Sequence, residues 1–125
     1  FQNDLAGTIA KYAIIQNAKL YRDGIAIAVT DKEVGRVTAA QAADELLNIA
    51  GIDTSFVISP QGEQVVISGR SKGEINVQLV LEKLQGGGHF DIAGAQVKNS
   101  SLTKSFELLK VAIDDYFEYD HKHKI

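Results

Sequence analysis

The chain has no cysteine, methionine or tryptophan, and only one proline in 125 residues. Without cysteine there is neither a disulfide framework nor thiolate chemistry, a pattern compatible with the cytoplasm. No stretch reaches the ~18 apolar residues of a membrane helix. The start, Phe1-Gln2-Asn3-Asp4, lacks the basic region and apolar run of a secretory leader. It also lacks an initiator Met, so Phe1 reads as a boundary inside a longer protein. Charge of one sign is scarce too: 13 Lys and Arg stand against 16 Asp and Glu, a net −3. That disfavours a broad non-specific nucleic-acid surface, which needs many cations to neutralise phosphates. A small, focused anion site remains open. What is present suits one globular domain: 45% hydrophobic residues and a length that buries roughly two thirds of the extended-chain surface.

Periodicity predicts the elements. Leu5 to Leu20 has helical spacing through Leu5, Ile9, Tyr12 and Ala13, with Asn3 or Asp4 as cap. Tyr21-Arg22-Asp23-Gly24 reads as a turn, and Ile25 to Val29 as a buried strand. Thr38 is the expected cap of a helix over Ala39 to Ala50, closed by Gly51. Ser55 to Ser59 and Gln64 to Ser68 read as a hairpin about Pro60-Gln61-Gly62. Arg70 to Gly73 then forms a polar loop, and Ile75 to Leu84 a helix carrying Ile75, Leu79, Val80 and Lys83 on adjacent turns. After Gln85-Gly86-Gly87-Gly88-His89, a short helix is expected over Phe90 to Ala95 and a short strand or turn over Gln96 to Asn99. Ser100 or Ser101 caps a last helix with Leu102, Phe106, Leu109, Ile113 and Phe117 at helical spacing, ahead of a frayed polar tail. The fold class is α/β, bordering on α+β: a small mixed sheet flanked by helices.

Two segments suggest chemistry. Three consecutive glycines, Gly86 to Gly88, are costly in entropy and make sense where backbone approaches something closely. Their amides can form an anion-binding concavity, helped by the first amides and dipole of a following helix. His89 adds a ring N–H or a proton. A flexible connection with an incidental His is an equally good reading. In Ser68-Gly69-Arg70-Ser71 the guanidinium fork matches two phosphate oxygens and Ser71 adds a donor. Taken alone, Arg70 is more simply a surface residue paired with a carboxylate. Asn76 suits a helix cap, or a contact to a nucleotide. Asp91 suits a helix first turn, and His121 and His123 a solvated tail. No metal-ligand, paired-carboxylate or Ser-His-Asp pattern stands out.

Together, Ser68-Gly69-Arg70-Ser71, Ile75-Asn76-Val77, Leu84-Gln85-Gly86-Gly87-Gly88-His89 and Ala93-Gly94-Ala95 resemble the DHH-associated domain. This is the C-terminal half of DHH phosphoesterases, and the likeness covers Gly24 to Phe117. Ser71 to Gln78, Leu81 to Leu84 and Ala112 to Tyr116 are most similar to the membrane-anchored cyclic di-AMP phosphodiesterases of Gram-positive bacteria. Two departures are visible: Gln85 stands where many relatives have Gly, and Ala93-Gly94-Ala95 replaces Ala-Ala-Gly or Ala-Ala-Thr.

The resemblance implies a division into residues 1–21, a helix and linker from a catalytic domain, residues 22–119, a substrate-binding domain, and the tail, residues 120–125. It implies that Arg70 and Ser71 contact phosphate, that the amides of Gly86, Gly87 and Gly88 complete the grip with His89, and that Asn76 contributes more weakly. Mn²⁺ is expected in an upstream DHH domain, because no Asp-His-His motif occurs in this chain, which alone is expected to be inactive. The full-length enzyme would hydrolyse cyclic di-AMP on the cytoplasmic side of the membrane. Its expected partners are the cyclic dinucleotide, its own DHH domain and a second copy through the N-terminal helix, with no nucleic-acid polymer. Two alternatives follow from the same resemblance: a DHH nuclease for short RNA or phosphoadenosine phosphate, and a tRNA-binding module like that of alanyl-tRNA synthetases.

Overall fold

Ile25 to Val29 has no polar side chain to turn toward water, so this strand must be covered on both faces. The computed structural model, which describes residues 4–124, places it inside a sheet. The elements are α1 (Leu5–Gln16), β1 (Lys19–Leu20), β2 (Ile25–Val29), α2 (Arg36–Leu46), β3 (Thr54–Gln61) and β4 (Gln64–Ser71). Then follow α3 (Val77–Glu82), β5 (Gly87–Gly88), β6 (Ile92–Lys98) and α4 (Leu102–Lys124). The strands form one mixed sheet in the order β1-β2-β3-β4-β6-β5. β2 and β3 run parallel, joined by α2, and the other neighbours are antiparallel. The mixed sheet flanked by helices is the expected fold class.

Period-two alternation sends the strands' side chains to two cores. Phe56, Ile58, Ile67, Ala93, Ala95 and Val97 meet α3 and α4 through Val80, Leu81, Leu109 and Ile113. Gly69 lies under the Phe56 ring, where a Cβ would come 3.0 Å from Cε1. On the opposite face Ala28 and Val57 meet Ala39, Ala42, Ala43 and Leu46 of α2 and Ile14 of α1. The alanines bring α2 close enough for Ser55 Oγ to donate to the Ala43 carbonyl at 2.7 Å. This second layer stops at β4. Along β6, Ala93, Ala95 and Val97 are buried while Ile92, Gly94, Gln96 and Lys98 are exposed, so the β6–β5 end of the sheet face beside α2 is open.

Several expectations change. Residues after His89 form β6 rather than a helix, because every second side chain, from Ala93 to Val97, is taken into the α3/α4 core. Arg70 and Ser71 belong to β4 rather than to a loop, and the hairpin turns at Gly62-Glu63, with Pro60 and Gln61 still in β3. α1 ends at Gln16, since Lys19-Leu20 pairs with β2 as an edge strand. Its expected apolar stripe of Leu5, Ile9 and Tyr12 is exposed, and it is Ile14 and Lys11 that are buried. Asp4 caps α1 by accepting from Gly7 N at 2.6 Å; Phe1 and Asn3 lie outside the described residues. α2 begins at Arg36 behind Gly35, with no side-chain cap, so Thr38 is inside the helix. Leu79 is exposed on α3, whose inner face is Val77, Val80 and Leu81. Ser101 caps α4 by accepting from Lys104 N at 3.0 Å, and α4 continues through the expected tail to Lys124.

Candidate functional site

The strand alternation that builds the cores also sorts the candidate residues. Arg70 points to the open face beside α2. Its Nε donates to Asp44 Oδ1 at 2.8 Å and its Nη1 to the Gly69 carbonyl at 2.8 Å. The carboxylate partner expected of a surface arginine is therefore present. It fixes the guanidinium, whose five N–H groups exceed these two bonds. Ser71, one residue on, points to the other face. It is buried, and its Oγ accepts from Gly73 N at 3.0 Å. Asn76 caps α3, its Oδ1 accepting from Leu79 N at 3.1 Å.

The glycine segment begins as a helix exit. The Gly86 amide donates back to the Leu81 carbonyl at 2.8 Å and the Gln85 amide to Glu82 at 3.1 Å, which is the Schellman pattern. Gln85 occupies the left-handed position, φ 63°. Gly87 and Gly88 then pair with Gly94 and Ala93 of β6. A Cβ on Gly86 would collide with the Gly94 carbonyl and Ala95, and one on Gly88 would lie 2.6 Å from the Ile92 carbonyl. Gly87 is different: a Cβ there meets nothing. The His89 amide donates to Ile92 at 2.7 Å, so the ladder's alternation turns the Gly88 N–H to the outer edge. With a strand following, no helix dipole faces this loop. The His89 side chain is exposed. The next carbonyls, Phe90 and Asp91, accept from Val77 N and Ser71 N at 2.9 Å each, tying the loop to α3 and β4.

A groove of about 1120 Å³ follows the β6–β5 edge and brings Arg70, Gly86, Gly87, Gly88 and His89 together. Ser71 and Asn76 do not line it. Arg36, Arg70, Lys83 and Lys98 line it together with Asp115, and Asp44 pairs with Arg70 at one end. A chain of net −3 thus gathers positive charge in one concavity, the electrostatics that attract an anion. Arg36, Gln96 and Lys98 were not singled out by sequence. The signal that would have found the last two is the period-two pattern of Ile92 to Lys98. Among the described residues no group of three His, Cys, Asp or Glu could hold a metal, and no helix is long and apolar enough to cross a membrane.

Comparison with known proteins follows the same lines. The DHHA1 domain matches residues 22–118. The cyclic-di-AMP phosphodiesterase GdpP of Bacillus subtilis is 44% identical over 88% of this chain, and the cyclic-di-AMP phosphodiesterase PdeA of Listeria monocytogenes is 39% identical over 94%. The chain spans 18% of the length of each. Among solved structures, an exopolyphosphatase-related protein from Bacteroides fragilis aligns with a TM-score of 0.81 at 20% identity, covering 92% of this chain and 36% of that one. The C-Ala domain of Aquifex aeolicus alanyl-tRNA synthetase aligns at 0.59 and 22% identity, covering 75% and 96%. These two share the fold. With β2 through most of α4 inside the matched range, and the Arg70 strand and glycine loop meeting in one groove, the chain belongs to the DHHA1 domain family.

Proposed function

We propose that this chain is the substrate-gripping domain of a cyclic di-AMP phosphodiesterase, a hydrolase that opens the cyclic dinucleotide to a linear one. The observation that carries the reading is the groove in which anchored Arg70 and the Gly86–His89 loop meet. Supporting it are the two relatives named for that activity. Arg70, fixed by Asp44 before any ligand arrives, offers its outer N–H groups to phosphate at little further cost in entropy. Gly87, whose open side lacks any side chain, lets a ligand reach the backbone, and the Gly88 N–H and His89 ring are donors within reach of the same ligand. Fixed donors of this kind place a phosphate and offset the negative charge that develops as it reacts. Ser71 and Asn76 contribute by holding the Gly73 turn and α3.

Hydrolysis itself belongs, in this proposal, to a DHH domain elsewhere in the full-length protein. Mn²⁺ would be held there, since the described residues here offer no ligand cluster. The full-length protein would act at the cytoplasmic side of the membrane. The exposed stripe of Leu5, Ile9 and Tyr12 supports a contact of α1 with another domain or a second copy, and light scattering over a concentration series tests self-association.

The test of the central reading is isothermal titration of the chain with cyclic di-AMP and with its linear product, beside Arg70→Ala. Binding that disappears in Arg70→Ala is expected. Equal binding by the variant would remove Arg70 from the site.

A further inference from the structure

Arg36, like Lys83 and Lys98, lines the groove without taking part in the proposed grip, and it is the one of the three held by side-chain hydrogen bonds from two other elements. It stands in the first turn of α2, and two neutral amides clamp its guanidinium. Nε donates to Gln61 Oε1 at 3.1 Å. With its oxygen assigned to the side facing the guanidinium, the Gln96 amide accepts from Nη1 at 3.2 Å. Its guanidinium is thus oriented by neutral amides, with no carboxylate paired to it among the described residues. Arg70 differs, because Asp44 partly neutralises it.

The two arginines mark opposite ends of one trough. On α2, Arg36, Ala40 and Asp44 lie on one stripe at i, i+4 and i+8. Eight residues at 1.5 Å rise separate the Arg36 end from the Asp44–Arg70 end by about 12 Å. On β6, Gln96 is beside Arg36, while Ile92 is the register partner of Arg70. Four residues of strand give about 13 Å, so two independent rulers agree. Between the ends the lining is small: Ala40, Ser68 and Gly94. Lys98, also exposed to the groove, follows Gln96 on the same face of β6. A lone phosphate at Arg70 would leave this length and the second cation unused.

We infer that Arg36, held by Gln61 and Gln96, forms a second subsite that takes the distal nucleotide unit of a dinucleotide whose first phosphate is gripped at Arg70. The inference rests on the proposed phosphate grip and adds a preference for two nucleotide units over one. The guanidinium fork suits a phosphate or the polar edge of a base. The small residues between the two arginines leave the trough free for the unit that joins them.

Titration of the chain with cyclic di-AMP and with AMP, in wild type, Arg36→Ala and Arg70→Ala, tests this. Arg36 is exposed and Gln61 and Gln96 remain in Arg36→Ala, so the variant is expected to keep the wild-type melting temperature. In wild type, cyclic di-AMP is expected to bind more tightly than AMP. Arg36→Ala should lose about 10-fold or more in affinity for the dinucleotide and leave AMP unchanged, whereas Arg70→Ala should lose both ligands. Equal affinity of wild type for the two ligands, or an Arg36→Ala variant that keeps the wild-type preference, overturns the second subsite and leaves the Arg70 grip standing. Failure of wild type to bind either ligand overturns the grip and the subsite together.

Discussion

Gln85 holds φ 63° at the exit of α3, where an L side chain costs roughly 1–2 kcal/mol. Glycine removes that strain but adds unfolded-state entropy of about 0.4–1 kcal/mol. Gln85→Gly should therefore stabilise the chain by about 0.5 kcal/mol, read from urea midpoints; a lower midpoint would mean that the Gln85 side chain holds the loop. The glycines beyond it separate packing from binding. Gly86→Ala drives a Cβ into the Gly94 carbonyl and Ala95 and should cost about 1–3 kcal/mol or more. Gly87→Ala meets open space and should stay within about 0.5 kcal/mol of wild type while weakening cyclic di-AMP binding. If Gly87→Ala binds as well as wild type, close approach of ligand to that backbone is excluded. The three glycines were legible as a place of close approach. What approaches was not, because the partner of Gly86 and Gly88 is β6 itself.

At the scale of elements, Asn76 illustrates how one residue serves two readings. Its Oδ1 caps α3, and losing such a cap costs about 1 kcal/mol. Asn76→Ala should lower the melting temperature, and Asn76→Asp, which keeps the acceptor, should restore it. Ligand affinity should follow wild type in Asn76→Asp; a loss there with stability intact would make Asn76 a direct contact. The sequence shows most elements clearly where patterns are strong: β2 by its unbroken apolar run, the β3–β4 pair by alternation, and α4 by Leu109 and Ile113. It hides β6 because the inward residues are small, two alanines and a valine, while Ile92 lies on the exposed face. An isoleucine outside and alanines inside invert the usual hydropathy contrast. That misreading also suggested a helix dipole at the glycine loop. Arg70 and Ser71 read as loop for a related reason: short polar residues at the end of a strand look like the turn that follows them.

For the molecule as a whole, composition averages away the feature that matters. A net charge of −3 gives no hint that four cations line one groove, since only topology brings Arg36 of α2 beside Gln96 of β6. A second long-range link joins the first strand pair to the last helix. The turn after β1 is closed by Tyr21 N donating to the Ile25 carbonyl at 2.8 Å. Tyr21 Oη donates to Asp114 Oδ2 at 2.7 Å, and Arg22 Nη1 to Asp114 Oδ1 at 3.0 Å. The Arg22 guanidinium also lies 4.3 Å from the Phe117 ring centre. The hydrogen bond to Asp114, then burial and the Asp114 charge, hold the Tyr21 hydroxyl above its ordinary 10.0. A raised phenol pKa means that the folded state favours the protonated form. The contact's stabilisation is therefore complete below about pH 10 and lost as pH rises through the higher folded value. Tyr21→Phe should be less stable than wild type by a constant margin from pH 6 to 9, and the margin should shrink above pH 10. Melting curves of the two proteins at each pH provide the check. A margin that persists undiminished at pH 11 would mean that the ring's packing, rather than its bond to Asp114, ties the N-terminal edge of the sheet to α4.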